Sequence, residues 1–161
     1  MTRYLEHVHS PRWVSGLVFA TTIAMCLVGL WLFAVKGEVL AGLVLVGSAG
    51  VVGLIVRTFR AARIEVDEAA MRVRLGPFGF AVAGDAIEEV RVTPYRWLAY
   101  GGWGLRWGRD GGRSARACSV PFLRTGVAVD TTDGRRYYVN STAPDDLAAA
   151  VGRLAGEGRS S

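Results

Sequence analysis

Residues 100–112 read Tyr-Gly-Gly-Trp-Gly-Leu-Arg-Trp-Gly-Arg-Asp-Gly-Gly, with six glycines, two tryptophans and two arginines in thirteen positions. Glycines beside cations are the composition of a phosphate-cradling loop, where bare backbone N–H groups reach the ligand. The spacing argues against that chemistry. Gly102, Gly104 and Gly108 do not form G-x-G-x-x-G, and no Gly-Lys-Ser/Thr occurs. The single lysine, Lys36, lies far upstream between two apolar runs. Parity gives another reading. Trp103, Leu105 and Trp107 alternate with Gly104, Arg106 and Gly108. That pattern predicts a strand with one bulky face and one nearly bare face, whose glycines permit close packing or strong coiling.

Other residues that could do chemistry are isolated from partners. His7 and His9 are the only histidines, and two alone cannot complete a metal site. Cys118 therefore has no nearby histidine to make a nucleophilic dyad, and Cys26 falls in an apolar stretch, where it acts as a small hydrophobe. Glu88 and Glu89 are adjacent, so on a strand they point to opposite faces and cannot share acid–base work. These residues suggest no catalytic set, no metal, no cofactor and no small-molecule substrate.

One electrostatic feature stands out. Between 91 and 124 lie Arg91, Arg96, Arg106, Arg109, Arg113, Arg116 and Arg124, against Asp110 alone. Tyr95, Trp97, Tyr100, Trp103 and Trp107 are interleaved. Basic side chains near an anionic leaflet contribute about 1 kcal/mol each, so these seven arginines and Trp97 are candidate lipid or partner contacts. A solvated basic face fits the same composition. Nucleic-acid binding is the weaker reading for a membrane-tethered domain and is not expected.

The tether is read from hydropathy. The chain has 161 residues, 51% of them hydrophobic, and a mean hydropathy of +0.28. The excess is localised. Residues 13–35 and 39–56 contain no charged side chain and flank Lys36-Gly37-Glu38. A bilayer core needs roughly 20 apolar helical residues, so the pair predicts a two-helix transmembrane hairpin over 13–56. Arg3 and Arg12 precede the first run, and Arg57, Arg60 and Arg63 follow the second. By the positive-inside rule both termini face the cytoplasm, and the expected location is the inner (plasma) membrane, multi-pass. Arg12, Trp13, Arg57, Arg60 and Arg63 are the expected juxtamembrane anchors. Gly16, Ala20 and Ala24 on the first helix, and Ala49 and Gly53 on the second, recur every four residues and are expected to pack the helices together. Neither run holds an Asp, Glu, Lys, Arg or His, which disfavours a transporter or channel.

Residues 1–12 read as a cytoplasmic segment and 57–62 as a connector. From Arg63 the period changes to two. Ile64 and Val66, then Met71, Val73 and Leu75, predict a hairpin turning at Glu68–Ala70. Gly76-Pro77 breaks the pattern, and Phe78–Val82 is a candidate third short strand. Ile87, Val90 and Val92 predict another, with a bulge at Glu88–Glu89. Asp133-Gly134 between Val127–Asp130 and Arg136–Asn140 predicts a hairpin. Ser141-Thr142 before Pro144, Asp145 and Asp146 predicts a helix start, and Leu147, Val151 and Leu154 give that helix one apolar stripe. Residues 156–161 read as a flexible tail.

About seven strands and one helix over 63–155 predict a bent antiparallel sheet or partly open barrel, closed by the helix, in an α+β membrane protein. The layout resembles the bacterial pleckstrin-homology-like (PH-like) membrane proteins. The resemblance is carried by Tyr100-Gly101-Gly102-Trp103-Gly104-Leu105-Arg106, by Thr131-Thr132-Asp133-Gly134-Arg135, and by Asn140–Leu147 entering the helix. It implies a PH-like domain serving as a tethered binding or scaffolding module, with a protein partner or a second copy as the occupant. The loop that carries the basic residues in lipid-binding relatives is here Asp67-Glu68-Ala69-Ala70, which is acidic. Phosphoinositide-type recognition is therefore not implied.

Overall fold

The computed structural model describes residues 4–58 and 61–158, without the side chains of Arg12, Val56, Arg57, Thr58 and Trp97. The chain divides into two compact units, 11–60 and a second built from 1–10 together with 61–161.

The smaller unit is helical. Helix α1 (Arg12–Trp31) runs into a π-helical turn, Leu32–Lys36, which ends where Gly37 takes a left-handed φ of 69°. Helix α2 (Val39–Thr58) follows. Trp13–Lys36 is one helix of 24 residues, with mean hydropathy 2.3 and 6% of its apolar window buried, long and apolar enough to cross a membrane. The second apolar stretch, Val39–Ile55, is shorter. Thr21, Thr22 and Ser48 donate to carbonyls three or four residues back, so their hydroxyls are satisfied inside the helices.

The larger unit contains, among the described residues, nine strands and a closing helix. The first sheet has the order β1 (Tyr4–His9), β2 (Ala61–Val66), β3 (Ala70–Leu75), β4 (Phe78–Ala83), all antiparallel neighbours. The second has the order β5 (Ile87–Pro94), β8 (Thr125–Thr131), β9 (Arg135–Asn140), β7 (Arg113–Ser119), β6 (Gly104–Asp110), with β7 and β9 parallel. A one-turn helix, α3 (Trp97–Tyr100), lies between β5 and β6, and helix α4 (Pro144–Gly158) ends the unit.

Alternation decides which side chains go inside. Val8, Ile64, Val66, Met71, Val73 and Leu75 from the first sheet meet Val127, Val129 and Val139 from the second. Leu147, Val151 and Leu154 of α4 complete the same core, at the spacing their i, i+4, i+7 pattern requires. Gly84 and Gly158 allow α4 to lie close: a Cβ at 84 would stand 2.7 Å from Leu154 Cδ1, and one at 158 would stand 2.7 Å from the Asp85 nitrogen.

Several expectations are met and others are corrected. Asp67 Oδ1 accepts from the Ala69 and Ala70 amides at 2.9 Å and makes the first turn. The ladder slips between Ile87 and Glu89, as a bulge there requires. Residues 78–83 form a strand of their own. The segment 1–12 is not a free appendage, because Tyr4–His9 is a sheet strand whose Val8 is fully buried. The connector is shorter than 57–62, since β2 begins at Ala61. Helix α4 continues to Gly158, and 159–161 lie outside the described residues. Strand β7 adds a ninth member to the expected seven together with β1.

Candidate functional site

The glycine-rich run is a turn followed by an edge strand. Gly101, Gly102 and Gly104 take φ values of 71°, 115° and 97°, which side-chain-bearing residues rarely adopt. Tyr95 donates its hydroxyl to the Gly102 carbonyl and Arg106 Nε donates to the Trp103 carbonyl at 2.8 Å, so the turn is tied down twice. Gly108 serves packing instead. A Cβ there would run into the Ala99 carbonyl, because α3 lies directly over β6. The helix of this region precedes the glycines and has four residues, so it offers no phosphate-binding terminus.

The bulky face splits. Leu105 packs against the main core, Trp103 is 43% exposed and Trp107 is 65% exposed. Trp103 meets Phe122 at a ring separation of 5.2 Å. With Pro94, Tyr95, Leu123 and Arg124 these rings line an open groove of about 570 Å³. Phe122 holds a φ of 66°, left-handed for a side-chain-bearing residue. Buried Asn140 supports that loop, donating to the Leu123 and Thr125 carbonyls at 3.2 and 3.1 Å and accepting from the Val120 amide at 3.1 Å.

The other face of the second sheet is covered by the 95–100 segment. Tyr100 and Tyr138 are buried there with Ala115, Ala117 and Ala128, and Tyr95 packs against them. The three tyrosine rings stand 5.0–5.9 Å apart. Burial pushes the Tyr138 phenol up, and the same burial plus Asp110 pushes Tyr100 up. Both stay protonated and neutral.

Beside the tyrosines lies an ion network. Asp130 is 3% exposed and receives Arg136 in a fork, Nε to Oδ1 at 2.6 Å and Nη2 to Oδ2 at 2.8 Å. Arg91 adds a bond at 2.9 Å and Arg113 approaches to 3.7 Å. The Arg136 hydrogen bond, opposed by burial and reinforced by the surrounding guanidinium groups, holds the Asp130 carboxyl below its ordinary value. Asp110 takes Arg136 at 3.3 Å, Arg96 at 3.1 Å and the Tyr100 hydroxyl at 3.2 Å.

The basic segment is therefore divided. Arg91, Arg96 and Arg113 pair with acids inside the domain, and Arg106 folds onto a carbonyl. Arg109 and Arg124 are exposed and Arg116 half-buried, with no acidic partner among the described residues. The Trp97 side chain lies outside the described residues. No protein family, curated protein or solved structure matches the chain.

The remaining candidates are dispersed. His7 and His9 share the outer face of β1, with rings 6.4 Å apart. Glu88 pairs with Arg113 at 3.5 Å and Glu89 with Arg91 at 3.5 Å. Burial pushes the Cys118 thiol up to about 12, which makes it a poor nucleophile. Among the described residues no three His, Cys, Asp or Glu are grouped to hold a metal. Of the expected anchors, Trp13 is exposed on α1, and Arg63 lies on β2, 3.4 Å from Glu65. The Arg12 and Arg57 side chains and all of Arg60 lie outside the described residues.

The helix-packing stripe needs correction. Gly16, Ala20 and Ala24 are exposed, and a Cβ at Gly16 or Gly53 would meet nothing within 4 Å. Ala49 is fully buried. The tightest approach is between Gly29 and Gly42, where a Cβ on Gly42 would stand 2.8 Å from the Gly29 carbonyl oxygen. The turn at 36–38 is short, so the helix ends nearest it come closest. The four-residue repeat further along α1 faces away.

Glu6 was not singled out by its sequence context. Its carboxylate accepts from Tyr4 at 2.8 Å, Ser141 Oγ at 2.7 Å, the Thr142 amide at 2.7 Å and Thr142 Oγ1 at 2.5 Å. A residue of β1 thus secures the entry to α4. Burial alone would raise the Glu6 carboxyl, but the bonds from Ser141, Thr142 and Tyr4 outweigh it and hold it low. The Tyr4 phenol is pushed up to about 12 by burial and by Glu6.

Proposed function

We propose that this chain is a membrane-anchored, non-enzymatic binding or scaffolding module. In this reading both helices cross the inner membrane, both termini are cytoplasmic, and a PH-like domain makes protein–protein or self-association contacts. The observation that carries it is the place where the apolar unit enters. His9 pairs with Ala61, so the chain leaves the sheet and re-enters it at facing residues of adjacent strands. An excursion that must return to its starting point suits a hairpin that crosses a bilayer and comes back. The 24-residue apolar helix within it supports a membrane as the destination.

The strand order supports the PH-like part of the reading. Set aside the β6–β7 hairpin, and four antiparallel strands are followed by a three-strand meander, β5-β8-β9, and a closing helix. That is seven strands and a helix, with β1 from before residue 63 as one of the seven and with part of the Tyr100–Arg106 motif in the hairpin set aside. The hairpin between β5 and β8 then reads as an addition carrying the Trp103 groove.

The reading is tested in expressing cells. The full chain should stay in the membrane fraction after an alkaline carbonate wash. Gly37→Cys should react with an impermeant maleimide from outside intact cells, and His9→Cys should not. Release by carbonate, or labelling at position 9, would overturn the tether. Purification that recovers only monomer, with no partner, would remove the binding role.

Anionic-lipid contact is the second reading, favoured by exposed Arg109 and Arg124 beside exposed Trp107 and Trp103. It is weakened by the internal pairing of Arg91, Arg96 and Arg113.

A further inference from the structure

The two sheets have four edge strands, and three of them are blunted against further pairing. Strand β5 carries Glu88, Glu89 and Arg91, a bulge and a terminal Pro94. Strand β6 carries Arg106, Arg109 and Asp110. Strand β1 carries Glu6 and two histidines. Charges, prolines and bulges are the devices that keep edges from pairing with another chain. Strand β4, Phe-Gly-Phe-Ala-Val-Ala, has no charge, no proline and no bulge in its ladder with β3.

The register shows which of its backbone groups are open. The Gly84 amide donates to the Ala69 carbonyl at 2.9 Å, and bonded pairs alternate along an antiparallel ladder. Val82, Phe80 and Phe78 therefore bond to Met71, Val73 and Leu75. Gly79, Ala81 and Ala83 direct their N–H and C=O groups away from β3, and all three are exposed. Their side chains are absent or a single methyl, so nothing shields this row.

We infer that β4 pairs with β4 of a second copy of this chain, antiparallel about a two-fold axis through Ala81. The row is self-complementary. Ala81 meets Ala81, Gly79 meets Ala83, and about six main-chain hydrogen bonds close without a side-chain clash. The two four-stranded sheets become one continuous sheet of eight. On the core-facing side Phe80 of each copy comes beside Val82 of the other. On the outer side the approaching residues are uncharged, so like-charge repulsion does not oppose the pairing as it would at β5 or β6. A single strand pair is a small interface, and confinement to one bilayer would supply the effective concentration that completes it. In that respect the pairing rests on the membrane-tethered reading and assigns its self-association site.

The test uses the full chain in native membranes, with Cys26→Ser removing the accessible native thiol. Ala81→Cys, whose mate would lie within disulfide reach, is compared under mild oxidation with His7→Cys, three strands away on the same face. The expected result is at least a fivefold greater disulfide-dimer fraction for Ala81→Cys. Equal fractions would overturn the proposal. Independently, the wild-type chain kept in its bilayer, in polymer-bounded native nanodiscs, should count as two copies of 17.3 kDa each. Ala81→Lys, which places a charge on the exposed edge, should return it to one copy with an unchanged melting temperature. A wild-type monomer, or an Ala81→Lys dimer, would equally overturn it. Carbonate washing of the same membranes reports on the tether separately, so loss of pairing and loss of anchoring give different results.

Discussion

In the four-stranded sheet, one face builds the core and the other goes to water. Leu5, His7, Arg63, Glu65, Arg72 and Arg74 share that outer face, and Arg72 pairs with Asp67 at its rim. In the five-stranded sheet, both faces are covered. The inner face joins the same core, and the outer face holds Ala115, Ala117, Ala128 and Tyr138 under Tyr95 and Tyr100, beside Asp130 and Arg136. The contrast explains the composition of the 91–124 segment. An outer face that is covered has to satisfy its polar groups, and three arginines of the segment, Arg91, Arg96 and Arg113, join Arg136 on Asp110 and Asp130 to do so. The outer face of the first sheet has no such cover, and its ion pairs, Arg63 with Glu65 and Arg72 with Asp67, lie at its surface.

The largest expected effect comes from removing the centre of the covered face. Asp130→Ala leaves Arg136 largely buried without its fork and deprives Arg91 of its closest partner. Breaking a buried pair on one side costs about 3–5 kcal/mol. The variant should melt well below wild type, and Arg63→Ala, on the open face, should shift the transition by less than 0.5 kcal/mol, as is usual for surface sites. Equal losses for the two variants in thermal unfolding would erase the distinction between the sheets.

A second test sits where the cover touches the sheet. Gly108→Ala places a methyl against the Ala99 carbonyl, which belongs to backbone and cannot swing away. The expected loss is about 1–3 kcal/mol, the range for overpacking a close contact. Chemical denaturation should show it together with a rise in Tyr95 and Tyr100 exposure. A neutral variant would mean that α3 does not bear on β6.

Much of the first sheet was legible because its strands alternate. Ile64, Val66, Met71, Val73 and Leu75 announce their own face, and the Asp67 and Asp133-Gly134 turns have side-chain chemistry that acts within three residues. The apolar helix was legible for the same reason, since hydropathy is a local sum. Strand β7 was not, because Ala115, Ala117, Cys118 and Ser119 bury small side chains that give no amphipathic signal. Strand β1 was obscured by Glu6, which faces inward among apolar neighbours because its partners, Ser141 and Thr142, lie at the other end of the chain. Along the chain the arginine segment reads as one charged surface, because pairing with Asp130 depends on a neighbouring strand. Counting charges along the chain records none of that. The Gly29–Gly42 contact was missed because four-residue spacing marks several candidate stripes, and the position of the turn selects among them.

Glu6 gives a smaller effect with a pH signature. Its folded carboxyl is held below the ordinary value of 4.5. Its contribution is therefore complete above that value and is lost as pH falls through the lowered one. Glu6→Gln should destabilise the strand-rich unit by about 1 kcal/mol at neutral pH, the size of a hydrogen-bonded cap. At pH 3 and below the difference from wild type should shrink. Melting curves at the two pH values check this, and an equal difference at both would show that the charge on Glu6 does not secure the entry to α4.

The smallest expected effect tests the bulky face of the glycine-rich strand. Parity groups Leu105 with Trp107, yet burial separates them. Leu105 packs against the core, and Trp107 on the edge strand is 65% exposed. Trp107→Ser should leave the melting temperature within about 0.5 kcal/mol of wild type, as expected for an exposed site. Leu105→Ala should cost about 2 kcal/mol, the lower end for removing a packed leucine. The same Trp107→Ser chain then discriminates the two readings of the basic segment. If exposed Trp107 and its neighbour Arg116 meet an anionic bilayer, the variant should lose the salt-sensitive tryptophan quenching that wild type shows in brominated phosphatidylglycerol nanodiscs. If the ring meets only water, wild type should show no such quenching, and the arginines of this hairpin are then a solvated rim around the covered face.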